Sequence, residues 1–515
     1  MESINPQEQI QDNFLLENLP GANEMLSKTL PNKDIMFYPF SQNQTSYLKA
    51  FDFISQKNIN ETEDFVSIDT TKNTSNVPKT KGNKSKKINQ YNTNQIKKNQ
   101  IKTNIYTPQL PRFKITQTIN PEVSWKIIAD FNKLILEKLV LNSDIKIKVE
   151  DKLILGDIYQ LQEDLDEKVS PMNPLSLNKY ENMKFFGNIT TLDDERIKIG
   201  TDQGNIFVTD KILSVIMTCV YSSHPWHLKI TKLGGNIYID KMENSEIDLV
   251  TVNESDNTPN DEDDRNINGY KSLAIEATLI NEFIKEQMLD FDSELLEDDG
   301  PNPFIDENIN KEDIEHLGYR YRLWKIDDMD ILVRCQVHSF NYVDDDDNKE
   351  DDDDKSSDNE EEEEEKLDYE FTNVYAMNEF DKNVYLSKEG NLTGPLLKKE
   401  LLNNHLKLTK WGICSYLGGV NKIKIGFVTR KNVKDNNEHY ITGFYDISTN
   451  DLLKITNFNK RIAWGIFKEI MDHVKRTKDY AYFILMKTLG VTNAKSMLKL
   501  YKVPEEYFNN LDNED

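Results

Sequence analysis

Residues 344–365 hold 16 acidic side chains against two lysines, Lys349 and Lys355. So much charge cannot be desolvated inside a core, so the flanking segments must let it loop out. It sits in a low-complexity insertion spanning 344–367, and by itself it supplies −14 of the formal net charge of −26. The opposite block lies at 72–102, with nine lysines and no acid. Charge is therefore sorted along the chain, and the whole-chain value is a poor guide to partners. Residues 1–118 are rich in Asn, Gln, Lys, Ser and Thr, too polar to offset the entropy of ordering, and read as a largely disordered tail. That leaves 119–500 as a folded core and 501–515 as an acidic C-terminal tail.

The remainder can build a sizeable core: 37% of the 515 residues are hydrophobic, with 5 Trp, 22 Tyr and 23 Phe. No run of about 18 apolar residues predicts a membrane-spanning helix. The opening MESINPQEQIQDNF lacks the basic-then-apolar order of a signal peptide. Cys219, Cys335 and Cys414 lie far apart without zinc spacing. They read as small buried apolar residues of a reducing compartment such as the cytoplasm.

Apolar spacing predicts helices over 123–141, from Asp210 after a capping Thr209, over 272–289 and over 462–476. Strand-like runs lie at 153–155, 205–208, 228–230, 236–239 and 247–252. The stretch YRYRLWKIDDMDILVRCQV reads as two alternating strands, 319–325 and 331–337, joined by an Asp-rich turn. Intermixed strands and helices predict an α+β fold, with mixed sheets flanked by helices. A second polar insertion, 253–270, precedes the helix at Ser272 and is the candidate to gate a groove. In the tail, KDIMFYPFSQN at 33–43 sets Phe37, Tyr38 and Phe40 around Pro39. It is either a docking island or a chance cluster. The lysine-rich stretch is either a phosphate contact or a solvated linker.

Several co-linear motifs carry a resemblance. TDQGNIFVTDKIL, IDLVTVNES, SLAIEATLIN, NPF at Asn302, YRYRLWKIDDMDILVRC and LKLTKWGICSYLGGVNKIKIGFVTRKNVKD are similar to the d-subunit family of the eukaryotic translation initiation factor three complex. The match runs from about Trp125 to Lys487, and YPFSQN resembles a motif of that family's N-terminus. The acidic insertion departs from the family pattern. The resemblance implies a core like that of the decapping exonucleases. Those enzymes hold divalent metals on a Glu-apolar-Asp strand, where period two puts both carboxylates on one face, and on a Glu-apolar-Lys segment. Gln336-Val337-His338 aligns with the first and Glu400-Leu401-Leu402 with the second. Glu400 alone cannot assemble a metal pair, so no catalytic or metal residues are expected. Glu246-Ile247-Asp248 repeats the Glu-x-Asp form in another segment and reads as a strand with structural carboxylates.

The resemblance further implies a binding-only, basic-walled groove for the mRNA 5′ cap. A methylated purine calls for a flat side chain to stack on and a carboxylate for its ring N–H groups; the triphosphate calls for cations or helix N-terminal amides. The implied cap and RNA residues are Asp210, Trp226, Thr278, Asn281 and Arg334, with Lys407 and Lys410 nearby. Ser223, His224, Pro225 and Glu282 depart from the family pattern. Alternatives stay open from the residues: Asp210 as a helix-terminal acid, Trp226 as core and Arg334 as a structural ion pair. His224 and His227 have no third metal ligand in sequence. Trp324, Trp411 and Trp464 read as core. The implied partners are the e subunit, reached through Phe37, Tyr38, Pro39 and Phe40, the a and c subunits, the 40S ribosomal subunit and capped mRNA, with no membrane and no cofactor. The competing readings are an enzyme that decaps or trims RNA 5′ ends and an acidic chaperone driven by 344–365. Ser356 and Ser357 match an acidic phosphorylation context.

Overall fold

The computed structural model describes residues 118–507, apart from 163–164, 181–182, 184, 186–188, 200–203, 223, 243–244, 253–266, 297–298, 306–313, 343–368, 380–392 and 489–495. The 33–43 island with Phe37, Tyr38, Pro39 and Phe40, the lysine block, the acidic run with Ser356 and Ser357, Ser223 and most of the 253–270 insertion lie outside the described residues.

Two mixed sheets form the frame. The larger runs in the order β1 (Lys126–Asn132), β16 (Ser496–Val503), β15 (Ala481–Lys487), β6 (Trp226–Leu233), β7 (Asn236–Lys241), β5 (Ile206–Thr209), β10 (Met329–Val337), β9 (Gly318–Ile326) and β2 (Ile147–Leu155). The smaller runs β4 (Leu175–Ser176), β14 (Asp435–Ser448), β13 (Lys422–Asn432), β12 (Tyr369–Glu379), β11 (Ser339–Tyr342), β3 (Gln160–Leu161) and β8 (Leu289–Asp290). Strand β5 pairs parallel with both β7 and β10, β12 parallel with β13, and β3 parallel with β11. The other ladders are antiparallel, some between chain neighbours such as β9 and β10 and others between distant strands such as β1 and β16, so the fold is α+β with mixed sheets and helices, as the interleaved patterns predict.

Five longer helices seat these sheets. Helix α1 (Asp210–Met217) starts where Thr209 accepts from the Ile212 N–H, the capping expected from its sequence. Helix α2 (Tyr270–Met288) lays Ile280, Ile284 and Met288 on Val374, Ala376, Val428 and Phe444 of the smaller sheet. Helix α3 (Thr393–Leu417) is shared by both sheets: Leu408 and Trp411 pack with Ile423, Ile425 and Phe427, while Ile413, Tyr416 and Leu417 join the core of the larger sheet. Helices α4 (Thr449–Ile455) and α5 (Lys460–Lys475) complete the layer, with Trp464 and Trp324 5.3 Å apart between centroids in the deepest part.

Four expectations are corrected. The segment 123–141 is not one helix: β1 pairs antiparallel with β16, and only Lys133–Leu136 turns helical, capped by Asn132. Ala129 and Phe131 are buried at period two, and sheet pairing outweighs local helix propensity. Glu246–Asp248 is a 3₁₀ turn capped by Ser245, not a strand; Glu246 is exposed, and buried Asp248 pairs with Lys241. Strands β9 and β10 are buried on both faces rather than alternating, because their charged members are paired: Arg320 and Arg322 both reach Asp151, at 2.6 and 3.0 Å. Finally, the boundary at 501 cuts through β16, whose Tyr501 and Val503 are buried.

A candidate binding pocket at the seam of the two sheets

Where the larger sheet meets α2 and α3, a pocket of about 150 Å³ opens, several times the ~10–15 Å³ that one water needs. Its walls come from seven places in the chain. Asp210, Lys211 and Ser214 come from the first turns of α1, and His224, Pro225 and Trp226 from the approach to β6. Glu246 and Ile247 come from the 3₁₀ turn, Asn281, Glu282 and Lys285 from α2, and Gln336 and His338 from the end of β10. Val374 and Tyr375 come from β12, and Lys407, Lys410, Trp411 and Cys414 from α3. The α3 set recurs at spacings of three and four, which is one helix face.

Asp210 sits at the head of α1, where an acid is favoured by the helix dipole. Its carboxylate accepts from the N–H of Lys211 at 2.7 Å and of Gln336 at 3.2 Å. Burial nevertheless raises its pKa from 3.8 to about 6, against the pull of those two N–H groups and of Arg334. His338 is neutral: burial, reinforced by Lys285, drives it well below the usual imidazole value. Its Nδ1 lies 2.9 Å from Val374 N and 3.0 Å from Val374 O. Burial likewise pushes the Cys414 thiol and the Tyr375 phenol well up, so both are protonated.

The aromatic wall is preassembled. Tyr375 stacks on Trp411 at 4.6 Å and 7°, and Lys407 Nζ lies 5.3 Å from the indole centroid. Trp226 is 7% exposed, so it serves the core and the pocket wall together.

The expected basic groove is charge-balanced instead. Lys407 pairs with Glu400, and Lys211 Nζ donates to Asp248 O at 2.9 Å. Lys285 pairs with Glu282 and lies 3.4 Å from Glu315. These carboxylates hold the Lys285 ammonium above its usual range although burial opposes it.

Of the residues marked from sequence, Asp210, Trp226 and Asn281 meet here with Lys407 and Lys410. Asn281 also ties α2 to β12: its Oδ1 accepts from Ala376 N at 2.8 Å. Thr278 lies outside the lining. Its hydroxyl donates to Ala274 O and accepts from Val250 N, both at 2.8 Å, so it holds the Val250 wall rather than a ligand. Arg334 does not reach the groove. It is 3% exposed and donates to Asp194 Oδ2 at 2.7 Å and to Ile189 O, with its guanidinium 4.8 Å from the Phe304 centroid. Asp194 also accepts from Tyr321 OH at 2.8 Å, so the structural ion pair is the reading that holds. Lys211, Lys285 and Tyr375 were missed, because their partners Asp248, Glu315 and Trp411 come only later in the chain, in other segments; Glu246 was marked, but as a structural carboxylate. Among the described residues, no three His, Cys, Asp or Glu side chains group as a metal-binding set, and no helix is long and apolar enough to cross a membrane.

Two sheets sharing a helix, with an aromatic, charge-balanced pocket at their seam, define an α+β core. Comparison with known families places it further: the chain belongs to the family described as eukaryotic translation initiation factor 3 subunit 7 (eIF-3), whose pattern matches residues 31–502. It is 32% identical over 332 residues to the D subunit of eukaryotic translation initiation factor 3 from Xenopus tropicalis, covering 63% of this chain and 55% of that protein. To the Homo sapiens protein of the same name it is 31% identical, covering 63% and 56%. The chain thus spans about half the length of the curated relatives it matches. Among solved structures it is similar to Scheffersomyces stipitis Rai1 in complex with (3'-NADP)+ and calcium ion, with a TM-score of 0.46 and 10% identity over 76% of this chain and 96% of that one. It is also similar to K. lactis Dxo1 in complex with manganese, with a TM-score of 0.36 and 12% identity over 75% and 95%.

Proposed function

We propose that this chain is a non-catalytic RNA-binding subunit of the initiation factor three complex. It takes the methylated 5′ cap of an mRNA in the seam pocket while working on the 40S ribosomal subunit in the cytoplasm. The observation that carries the reading is the convergence, in one pocket, of a buried carboxylate (Asp210), a stacked aromatic pair (Tyr375 and Trp411) and lysines on α3. A methylated guanine needs an acceptor for its N–H groups and a flat neighbour, and its phosphates need cations. Family membership supports the assignment to translation initiation. The 33–43 island, with Phe37, Tyr38, Pro39 and Phe40, is the segment we assign to docking on the e subunit, with the a and c subunits as further neighbours.

The reading as a binder also rests on the residues at the two nuclease signatures. Gln336 and His338 occupy the first, and at the second Glu400 is neutralised by Lys407 and accepts from Asn404 Nδ2 at 3.1 Å. The test is a titration of the full chain with a short 5′-labelled RNA, capped with or without the methyl group, in the presence and absence of Mg²⁺ or Mn²⁺. Methyl-dependent binding with intact RNA is expected, and Asp210→Asn is expected to weaken it about tenfold, the worth of roughly one charge-assisted hydrogen bond. Metal-dependent release of the cap would establish the competing reading, a decapping or 5′-trimming enzyme.

A further inference from the structure

Lys407 and Glu400 stand seven residues apart on α3. In a straight helix that separation is about 10.5 Å of rise. The backbone leaves helical values between them, at Asn404 (φ −135°, ψ 26°). Across this kink the two side chains form an ion pair, and Asn404 Nδ2 donates to the same Glu400 oxygen, Oε1, at 3.1 Å. Both partners are buried, Glu400 at 8% and Lys407 at 5% exposure. Lys407 lines the pocket; Glu400 does not. The kink therefore delivers an anion from outside the pocket onto a cation in its wall. A buried ion pair contributes little net stability over an apolar pair, so folding alone does not account for it. Such a cation exchanges its anion only for one strong enough to offset leaving Glu400 buried without its cation.

We propose that Glu400 is a built-in counterion that competes with the ligand's phosphates for Lys407, so that the seam pocket selects ligands ending in several linked phosphates. A nucleoside carries no anion that can displace Glu400. A triphosphate carries charge enough to take Lys407 over, with Lys410 one turn further along the same helix face. The inference deepens the cap-binding reading and rests on it for the location of the ligand.

The experiment is calorimetric titration of the full chain with inorganic tripolyphosphate, 7-methylguanosine triphosphate, guanosine triphosphate and 7-methylguanosine. The parent, Glu400→Gln, Lys407→Gln and the double variant are compared, each checked by thermal unfolding. Glu400→Gln is expected to bind tripolyphosphate and 7-methylguanosine triphosphate roughly three- to tenfold tighter, and 7-methylguanosine as the parent does. Lys407→Gln is expected to lose affinity for both phosphates. The double variant, which leaves no buried charge unpaired, is expected to match Lys407→Gln. Unchanged or weakened tripolyphosphate binding in Glu400→Gln overturns the proposal, as does a gain that survives in the double variant, since the effect would then not run through Lys407. Tighter tripolyphosphate binding without any preference for the methylated base upholds the counterion and sinks the cap reading instead.

Discussion

Asp210 is held in the seam against its own solvation. Its folded-state pKa of about 6 lies above the ordinary 3.8, so the folded protein keeps a proton that the unfolded chain has released. Stability from this group is complete below about pH 4, falls as pH rises towards about 6 and stays low above that. Asp210→Asn keeps an acceptor for one of the two N–H donors and cannot ionise. Two pH units at about 1.4 kcal/mol each, less about 1 kcal/mol for the lost bond, leave the variant roughly 1–2 kcal/mol more stable at pH 7.5. At pH 4 it should be level with the parent or below it. Urea unfolding at the two pH values reads both effects, and a variant weaker than the parent at pH 7.5 defeats the account. The same substitution is expected to weaken cap binding, so stability and affinity should move in opposite directions. Asp210 was legible because Thr209 caps the helix behind it and fixes where the acid falls. Arg334 was not, because sequence did not say that Asp194, 140 positions earlier in the chain, pairs with its guanidinium. Tyr375 was invisible for a related reason: its meaning is the stack with Trp411, 36 positions on.

At the scale of elements, α5 tests how tightly the core fixes its helices. A Cβ placed on Gly465 would lie 2.0 Å from Leu139 O and 2.9 Å from Leu141 N, both backbone atoms. Helix propensity favours Gly465→Ala by about 1 kcal/mol. The clash with a backbone that cannot rotate away costs more, about 1–3 kcal/mol and at times beyond, so net destabilisation of up to about 2 kcal/mol is expected. On β13, a Cβ at Gly426 meets Ile284 Cδ1 at 2.2 Å, the far end of a flexible side chain on α2. Gly426→Ala should therefore cost less than about 1.5 kcal/mol. Thermal unfolding of the pair ranks them, and a stabilised Gly465→Ala would mean the 139–141 segment gives way. Sequence anticipated the hairpin of β9 and β10 through its turn, the cap of α1 through Thr209, and the extents of α2 and α5 through their apolar spacing. It missed β1, whose apolar residues satisfy a helical and a strand period alike. There, the deciding partner, β16, enters the chain more than 350 residues later.

The whole molecule carries its most acidic segment between two strands that are already paired. Strands β11 and β12 run antiparallel with Ser339 opposite Thr372 and Tyr342 opposite Tyr369, so the chain leaves and re-enters the sheet at one point. Deleting 344–365 joins Val343 to Lys366 and leaves four residues between Tyr342 and Tyr369, a length that hairpins accept. Shortening the connection from 26 residues to four lowers its closure entropy by about 1–2 kcal/mol. Taking −14 from −26 also leaves −12, which reduces self-repulsion and repulsion from a polyanion. The deletion variant is therefore expected to melt at or slightly above the parent temperature. It should also bind capped RNA at least as fast at low salt, with the advantage shrinking as salt screens the charge. The acidic-chaperone reading requires the opposite, with function lost along with the run. A large fall in melting temperature would show that the β11–β12 pairing depends on the insertion. Slower RNA association would show that the acidic run helps the ligand in rather than holding it off.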